Sequence, residues 1–279
     1  MGGPALRTEL TMLEIENLTI RFRRYEGILR RREISCLRDI TLSVAAGEFL
    51  AVVGSSGAGK SLLAHAVLGI LPPNASAEGR VRFEGRTLDA ASLRTLRGRR
   101  IALVPQSIAY LDPLARVGSQ VRWAAERSGL SRGRSAEASA SALQGLGLRA
   151  GVAQAYPHAL SGGMARRVLL AIATVGDAGL VIADEPTDGL DPANAAIVLR
   201  QLRGLADRGR AVIVVTHDLA SVVPCADRVV VMKEGALLGA EQAENFSGDG
   251  AHLRSPYARA LWRALPENGF CVQAERVDA

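Results

Sequence analysis

The sequence predicts an α/β fold built on a parallel β-sheet, with an antiparallel β region near its start and a helical segment inserted into it. A glycine-rich turn, GSSGAGKS, joins an apolar strand-length run at 50–53 to an apolar helix-length run at 62–70. Strand signals return at 100–104, 180–183 and 211–215, with helix signals between them. Strands that alternate with helices indicate a parallel sheet covered on both faces.

Composition limits the classes of protein that this chain can be. Its 279 residues, 48% of them hydrophobic, suffice for a substantial core. The net charge of +6 suits nucleic acid, anionic lipid, nucleotide or an acidic protein and does not choose among them. Three isolated cysteines form no disulfide framework, so we expect a reducing cytosol. The N-terminus lacks signal-peptide features, and no run approaches the roughly 20 apolar residues that span a bilayer. We therefore expect a membrane role to require a partner.

The antiparallel region is predicted from alternation. Residues 13–20 and 34–44 alternate as half-buried strands do, and residues 81–83 indicate a further edge strand. Six arginines lie between Arg21 and Arg32, which we interpret as a long hairpin connection. This basic segment is either a solvated loop or a contact for phospholipid headgroups or a partner protein.

The turn at 54–61 carries the strongest chemical signal. Its fixed positions match the phosphate-loop (P-loop) pattern, in which backbone N–H groups at a helix N-terminus surround phosphate oxygens. Lys60 is one of only two lysines among 34 basic residues, and a compact cation suits the β- and γ-phosphates. The Ser61 hydroxyl can bind Mg²⁺. We predict a P-loop NTPase core that binds a nucleoside triphosphate through Gly54, Ser55, Ser56, Gly57, Ala58, Gly59, Lys60 and Ser61.

Polar side chains follow three other predicted strands. Asp184 and Glu185 end the apolar run LVIA, where Asp184 can hold Mg²⁺ through water and Glu185 can deprotonate an attacking water. His217 follows 212–216 and can bond the γ-phosphate as a neutral imidazole. Gln106, just past 101–104, can bridge Mg²⁺ or water. Ligands collect at the carboxyl ends of parallel strands, so we expect these residues to converge.

A second anion site is predicted at the motif LSGGM. Ser161 is a favourable helix N-cap, and two glycines follow it. Each glycine costs up to about 1 kcal/mol inside a helix, so a closely approaching phosphate would explain Gly162 and Gly163. Because the P-loop already holds one nucleotide, we expect this site to serve the nucleotide of another subunit.

The remaining elements complete the predicted chain. Residues 112–176 are rich in Ala, Leu and Arg with helical spacing, although 128–142 is either a loop or a polar helix. Asp191 and Pro192 predict the start of a helix over 192–208. Residues 228–232 and 236–238 predict a hairpin. Residues 256–265 predict an amphipathic helix that docks through Leu261 and Trp262.

In chain order, the sequence carries GSSGAGKS, Gln106, LSGGM, LVIADE, GLD at 189–191 and His217. With this set of motifs, the chain resembles an ABC transporter ATPase subunit over about 13–238. The resemblance implies an ATPase domain at 13–245, a helical subdomain at about 112–176 and a C-terminal extension at 246–279. It also implies that two subunits sandwich two ATP molecules with Mg²⁺, with Asp191 crossing the interface. Phe22, or otherwise Tyr25, would stack on adenine. The helical subdomain would contact membrane-spanning permeases near Gln106.

A finer resemblance is to ATPases of dipeptide, oligopeptide, nickel and metallophore importers. It rests on LDP at 111–113, VGSQ at 117–120, YPH at 156–158 and PYARAL at 256–261, while 264–270 looks most like the nickel or opine-metallophore branch. This implies an energy-coupling ATPase peripheral to the cytoplasmic face of the cell membrane. Its partners would be two permeases, a second ATPase subunit (a copy or a paralogue) and, indirectly, a periplasmic solute-binding protein.

The sequence departs from the family pattern at its signature. Met164 replaces a common glutamine, and Ala165-Arg166-Arg167 stands where Arg-Gln-Arg is usual. Only Cys271 lies where peptide-importing relatives carry a cysteine cluster, so we expect no iron–sulfur centre.

Three alternatives remain open. The chain could serve another ABC system such as an exporter, or it could be a soluble ABC ATPase that acts on nucleic acid. No long coiled-coil insertion, zinc cysteines or second ATPase domain appears in this sequence, so we expect no nucleic-acid partner. A regulator without turnover is disfavoured because Glu185 and His217 are both present.

Overall fold

The computed structural model describes residues 10–26 and 30–268, except the side chains of 24–26, 30, 31 and 267. The predictions for the Tyr25 ring, for Cys271 and for the end of the C-terminal extension lie outside the described residues. Within the described part, no helix has both the length and the apolar character needed to cross a membrane.

The antiparallel sheet has the strand order β2-β1-β4-β5. Its strands are β1 (Thr11–Glu26), β2 (Arg30–Ala45), β4 (Ala75–Phe83) and β5 (Arg86–Thr87), while β3 belongs to the second sheet. The predicted long hairpin connection is wrong, because β1 and β2 pair up to Glu26 and Arg30. A ladder uses backbone groups, so arginine side chains do not end it. The predicted edge strand at 81–83 is longer and lies between β1 and β5.

The second sheet has six strands in the order β10-β9-β3-β8-β7-β6. They are β3 (Phe49–Gly54), β6 (Ile101–Val104), β7 (Leu180–Asp184), β8 (Ala211–Thr216), β9 (Arg228–Lys233) and β10 (Ala236–Gln242). All neighbouring pairs are parallel except the hairpin of β9 and β10. The predicted parallel sheet, antiparallel region and closing hairpin are confirmed.

The helices are α1 (Lys60–Leu68), α2 (Ala90–Leu96), α3 (Val117–Arg127), α4 (Arg132–Gly145), α5 (Gly162–Thr174), α6 (Pro192–Asp207), α7 (Leu219–Val222) and α8 (Pro256–Arg263). Between β6 and β7 the described chain holds α3, α4, α5 and short 3-10 turns, as the helical spacing predicts. The polar stretch 128–142 lies mostly in α4, where Ser139 is buried and donates to the Gly118 carbonyl at 3.1 Å.

Two cores cover the parallel sheet. Phe49, Ala51 and Val53 of β3 belong to a core shared with α3, α5 and α6. Leu50 and Val52 face the opposite core, which contains α1 and the antiparallel sheet. Successive strand residues point to opposite faces, so a continuous apolar run supplies both cores. Farther along the chain, the predicted docking of α8 is confirmed, since the Trp262 ring packs edge-on against Phe246 with centroids 5.7 Å apart.

Candidate nucleotide-binding and catalytic site

The P-loop lies between the end of β3 and the start of α1. Gly59 caps α1 in the left-handed conformation, with φ 94°, and a Cβ there would lie 2.6 Å from the Leu37 side chain. A Cβ on Gly54 would lie 2.2 Å from the Met232 carbonyl oxygen. Both positions therefore require glycine. Lys60 is buried, and its Nζ donates to the Gly54 carbonyl at 2.9 Å and the Ser55 carbonyl at 3.1 Å.

A cleft of about 470 Å³ opens beside this loop. One wall is the P-loop and the start of α1. The other wall comes from β2 and from the β9–β10 turn, through Ser35, Cys36, Glu234 and Gly235. No sequence motif points to these four residues, because a pocket wall assembled from distant segments leaves no local pattern.

Phe22, the predicted adenine-stacking residue, lies elsewhere in the described structure. Its ring is half-buried and packs against the core under the antiparallel sheet, and it is not among the residues that line the P-loop cleft. Stacking on adenine by Phe22 stays a prediction.

Asp184 meets Ser61 across the end of the parallel sheet. The Ser61 hydroxyl donates to Asp184 Oδ1 at 2.9 Å, and Asp184 is only 3% exposed. Burial raises the pKa of Asp184, and the hydrogen bond from Ser61 opposes this shift. A hydroxyl and a carboxylate side by side form an oxygen donor set that Mg²⁺ prefers.

Glu185 lies between Lys60 and His217. Its Oε1 is 3.9 Å from Lys60 Nζ, and its Oε2 is 3.0 Å from His217 Nδ1. Burial lowers the pKa of Lys60, while the nearby charges of Glu185 and Asp184 raise it. Glu185 has φ 45°, a left-handed backbone that a non-glycine residue adopts at a cost of about 1–3 kcal/mol. Strain of this kind concentrates at functional sites.

His217 is half-exposed, with 54% of its side chain accessible, whereas Glu185 is buried. The imidazole therefore lies at the mouth of the site with one ring nitrogen on the carboxylate. The expected convergence is confirmed for Lys60, Ser61, Asp184, Glu185 and His217.

Gly162 of the LSGGM segment lines a different cleft, of about 280 Å³, together with Gln106 and Asp188. Ser161 caps α5 as predicted, accepting from the Met164 N–H at 3.3 Å. A Cβ on Gly162 would meet nothing within 4 Å, so this helix start is open. Gln106 is exposed and lines this second cleft, so its role toward Mg²⁺ or water stays a prediction.

Asp191 caps α6, as predicted, by accepting from the Asn194 N–H at 3.0 Å. That backbone hydrogen bond is the largest cause that lowers the pKa of Asp191. Its carboxylate is exposed, and its expected place at an interface between subunits stays a prediction.

A further residue, which no sequence motif indicates, contacts the backbone of the site. Arg166 is buried on α5, and its Nη1 donates to the Gln106 carbonyl at 2.8 Å and the Glu185 carbonyl at 2.9 Å. The sequence showed only that Arg166 departs from the family pattern; the contacts depend on packing of α5 against the ends of β6 and β7.

Comparisons with known proteins show the family of the chain. Residues 37–188 match the family model described as ABC transporter. The chain is 36% identical to the uncharacterized ABC transporter ATP-binding protein YejF of Escherichia coli over 92% of this chain. It is also 36% identical to a protein of Sinorhizobium fredii named "Probable peptide ABC transporter ATP-binding protein", over 92% of this chain and 77% of that protein. A third relative, the oligopeptide transport ATP-binding protein OppD of Mycobacterium bovis, is 36% identical over 91% of this chain.

The match spans 49% of YejF and 42% of OppD, so the chain covers about half the length of those relatives. Among solved structures, a dimeric ATP-binding cassette in a post-hydrolysis state with ADP and phosphate is similar, with a TM-score of 0.73 and 26% identity. That similarity covers 83% of this chain and 99% of the other. The chain therefore belongs to the ABC transporter family, of which it forms an ATP-binding ATPase cassette.

Proposed function

We propose that this ATPase cassette powers the import of peptides through separate membrane-spanning subunits. The observation that carries the proposed ATP hydrolysis is the meeting of Lys60, Ser61, Asp184, Glu185 and His217 at the end of the parallel sheet. A P-loop with a buried carboxylate next to it suits phosphoryl transfer to water.

Each residue of the site has a distinct role in ATP hydrolysis. The P-loop N–H groups and Lys60 hold the triphosphate, and Glu185 accepts a proton from the attacking water. His217 holds Glu185 Oε2 in place and faces the open side of the site, where it can bond the γ-phosphate. Ser61 and Asp184 would hold Mg²⁺, which neutralises phosphate charge when it is bound.

We further propose that two cassettes act together. Within one chain the P-loop and Gly162 line different clefts, and the open helix start at Gly162 suits an anion from outside the chain. The similar solved cassette is a dimer. The second cassette would be a copy or a paralogue, and Asp191 would lie at the interface.

An exposed apolar surface supports contact with permeases. Four large apolar side chains are exposed: Ile108 by 44%, Tyr110 by 69%, Leu114 by 87% and Trp123 by 48%. Tyr110 and Trp123 also line a cleft of about 350 Å³ between the α3 region and the parallel sheet. Exposed apolar side chains that share one cleft, as these two rings do, mark protein interfaces. We assign this surface to cytoplasmic segments of two permeases, which would hold the cassette at the cytoplasmic face of the cell membrane.

The choice of cargo rests on the relatives. Two of the three named above are described as peptide or oligopeptide transport proteins, so we favour peptides. The predicted nickel or opine-metallophore branch has no support from them. A periplasmic solute-binding protein would deliver the cargo to the permeases.

A reconstitution experiment tests this function. The cassette should copurify with its permeases, and Trp123→Glu should reduce copurification at least tenfold while leaving the basal ATPase rate of the isolated chain unchanged. Added solute-binding protein loaded with peptide should raise ATP turnover. Stimulation by DNA or RNA instead would favour the soluble ABC ATPase alternative.

A further inference from the structure

We propose that Arg166 is a positioning residue that ties the helix carrying the LSGGM segment to the catalytic site of its own chain. This inference rests on the proposed roles of Glu185 as base and Ser161–Gly163 as a contact for the second nucleotide. It concerns a residue that stands where the family pattern has glutamine.

The contact geometry is specific. A single nitrogen, Arg166 Nη1, lies 2.8 Å from the Gln106 carbonyl oxygen and 2.9 Å from the Glu185 carbonyl oxygen. Nη1 carries two hydrogens, so it can donate one to each oxygen. The guanidinium thereby fixes the chain just after β6 relative to the chain just after β7. Both bonds have a charged donor and are stronger than neutral ones.

Burial makes this contact hard to replace. Arg166 is 9% exposed, and a buried guanidinium requires partners. The Glu185 carbonyl also accepts from the Asp188 N–H at 3.2 Å, so it keeps one partner if the arginine is lost. Glu185 itself holds a left-handed backbone, with φ 45°, which the surrounding contacts must maintain.

The position of Arg166 on α5 connects it with the open helix start. Gly162 and Arg166 are four residues apart, so they share one face of α5, and both line the cleft that contains Gln106. A displacement of α5 that accompanies anion binding at Gly162 would move the guanidinium as well. Through Arg166, such a displacement reaches the backbone of Glu185, whose carboxylate contacts His217.

The test compares variants of the full chain in ATP affinity, kcat and thermal unfolding. Arg166→Met should lower kcat at least tenfold and leave the Kd for ATP within twofold of wild type, because the P-loop is untouched. Arg166→Gln should recover much of the lost rate, since a single amide nitrogen also carries two hydrogens. A split between kcat and Kd, with recovery by glutamine, is not expected of an arginine that only supports folding.

The matched control is Arg203→Met. Arg203 is a partly buried arginine that donates to the carbonyls of Cys225 and Gly47 near the opposite end of β3. It should lower the unfolding midpoint while keeping kcat within twofold. Wild-type kcat in Arg166→Met, or an equal loss of kcat in Arg203→Met, would overturn the proposal. If Arg166→Met does not fold, Arg166→Ala takes its place: a wild-type Kd with kcat at least tenfold lower supports the proposal, and a wild-type kcat overturns it.

Failure of the proposal is distinguishable from failure of the function. An inactive Glu185→Gln together with a fully active Arg166→Met would reject only the positioning role. A fully active Glu185→Gln would reject the assignment of the base.

Discussion

His217 Nδ1 lies 3.0 Å from Glu185 Oε2, although the two residues are 32 positions apart in the chain. The backbone N–H of His217 also points to the same oxygen, at 3.4 Å. Adjacent parallel strands β7 and β8 end side by side, and each contributes one of these residues. The carboxylate is thereby oriented with Oε1 toward Lys60 and Oε2 toward the imidazole.

Glu185→Gln should retain ATP binding and lose hydrolysis. The amide has nearly the shape of the carboxylate but cannot accept the proton of water, so kcat should fall by about 10²–10⁴. Phosphate release and ATP affinity are the measurements. Glu241→Gln is the control, since Glu241 is also buried but accepts from the Ser255 N–H at 2.6 Å, near α8. Turnover of Glu185→Gln at the wild-type rate would show that another group is the base.

Lys60→Ala should weaken ATP binding about 10- to 100-fold, because a hydrogen bond to a charged group contributes about 1.5–3 kcal/mol. Isothermal titration with ATP measures the change. Lys233→Ala removes the only other lysine of the chain, which lies over the Tyr257 ring at 5.2 Å, and it should bind ATP as wild type does. Equal losses in both variants would mean that net charge, not the P-loop contact, governs affinity.

Ser161→Asp and Ser161→Asn separate helix capping from anion binding. Both residues cap helices well, so α5 should remain stable in each. Only aspartate adds a negative charge where a phosphate of the second cassette would approach. We expect Ser161→Asp to reduce turnover at least a hundredfold, while Ser161→Asn stays within tenfold of wild type. ATP affinity of the isolated chain should be unchanged in both. Similar turnover in the two variants would contradict a phosphate contact at this helix start.

The ionised carboxylate of Asp184 should lower the free energy of unfolding of the nucleotide-free protein at neutral pH. Its pKa is raised by burial, so the native state binds this proton more tightly than the unfolded chain does. Its ionised form therefore costs stability above the native pKa, and the cost disappears as the pH falls toward the unfolded value of about 3.9. Asp184→Asn should raise the unfolding midpoint at pH 7, and the gain over wild type should shrink as the pH is lowered.

Asp89 provides a control of opposite sign for that experiment. The backbone N–H of Ser92 is the largest cause that lowers the pKa of Asp89, so this carboxylate stabilises the fold above the unfolded pKa and loses that effect as the pH falls through the native pKa. Asp89→Asn should therefore not raise the midpoint at pH 7. A lower midpoint for Asp184→Asn at pH 7 would show that the ionised carboxylate stabilises the apo protein.

Local chemistry explains what could be predicted. Three features depend only on neighbouring residues and can therefore be predicted from the sequence. They are the P-loop, the helix starts at Ser161 and Asp191, and the buried strand before Asp184. The arginines between β1 and β2 predict a loop, but the two strands pair through this segment, because strand pairing depends on backbone hydrogen bonds. The wall of the P-loop cleft that Ser35 and Glu234 form could not be predicted, because it brings together segments far apart in sequence. The same is true of the contacts of Arg166.

By itself, the sequence determined the α/β fold class, the triphosphate-binding loop and the identity of the acidic and imidazole groups at the strand ends. These features follow from the spacing of residues along single segments, because backbone geometry limits the conformations that each segment can adopt. Only the tertiary structure decided which groups meet: Glu185 with both Lys60 and His217, and Arg166 with two carbonyls that lie just past separate strands. The reason is physical, since side-chain contacts depend on how helices and strands pack and no local pattern encodes those distances.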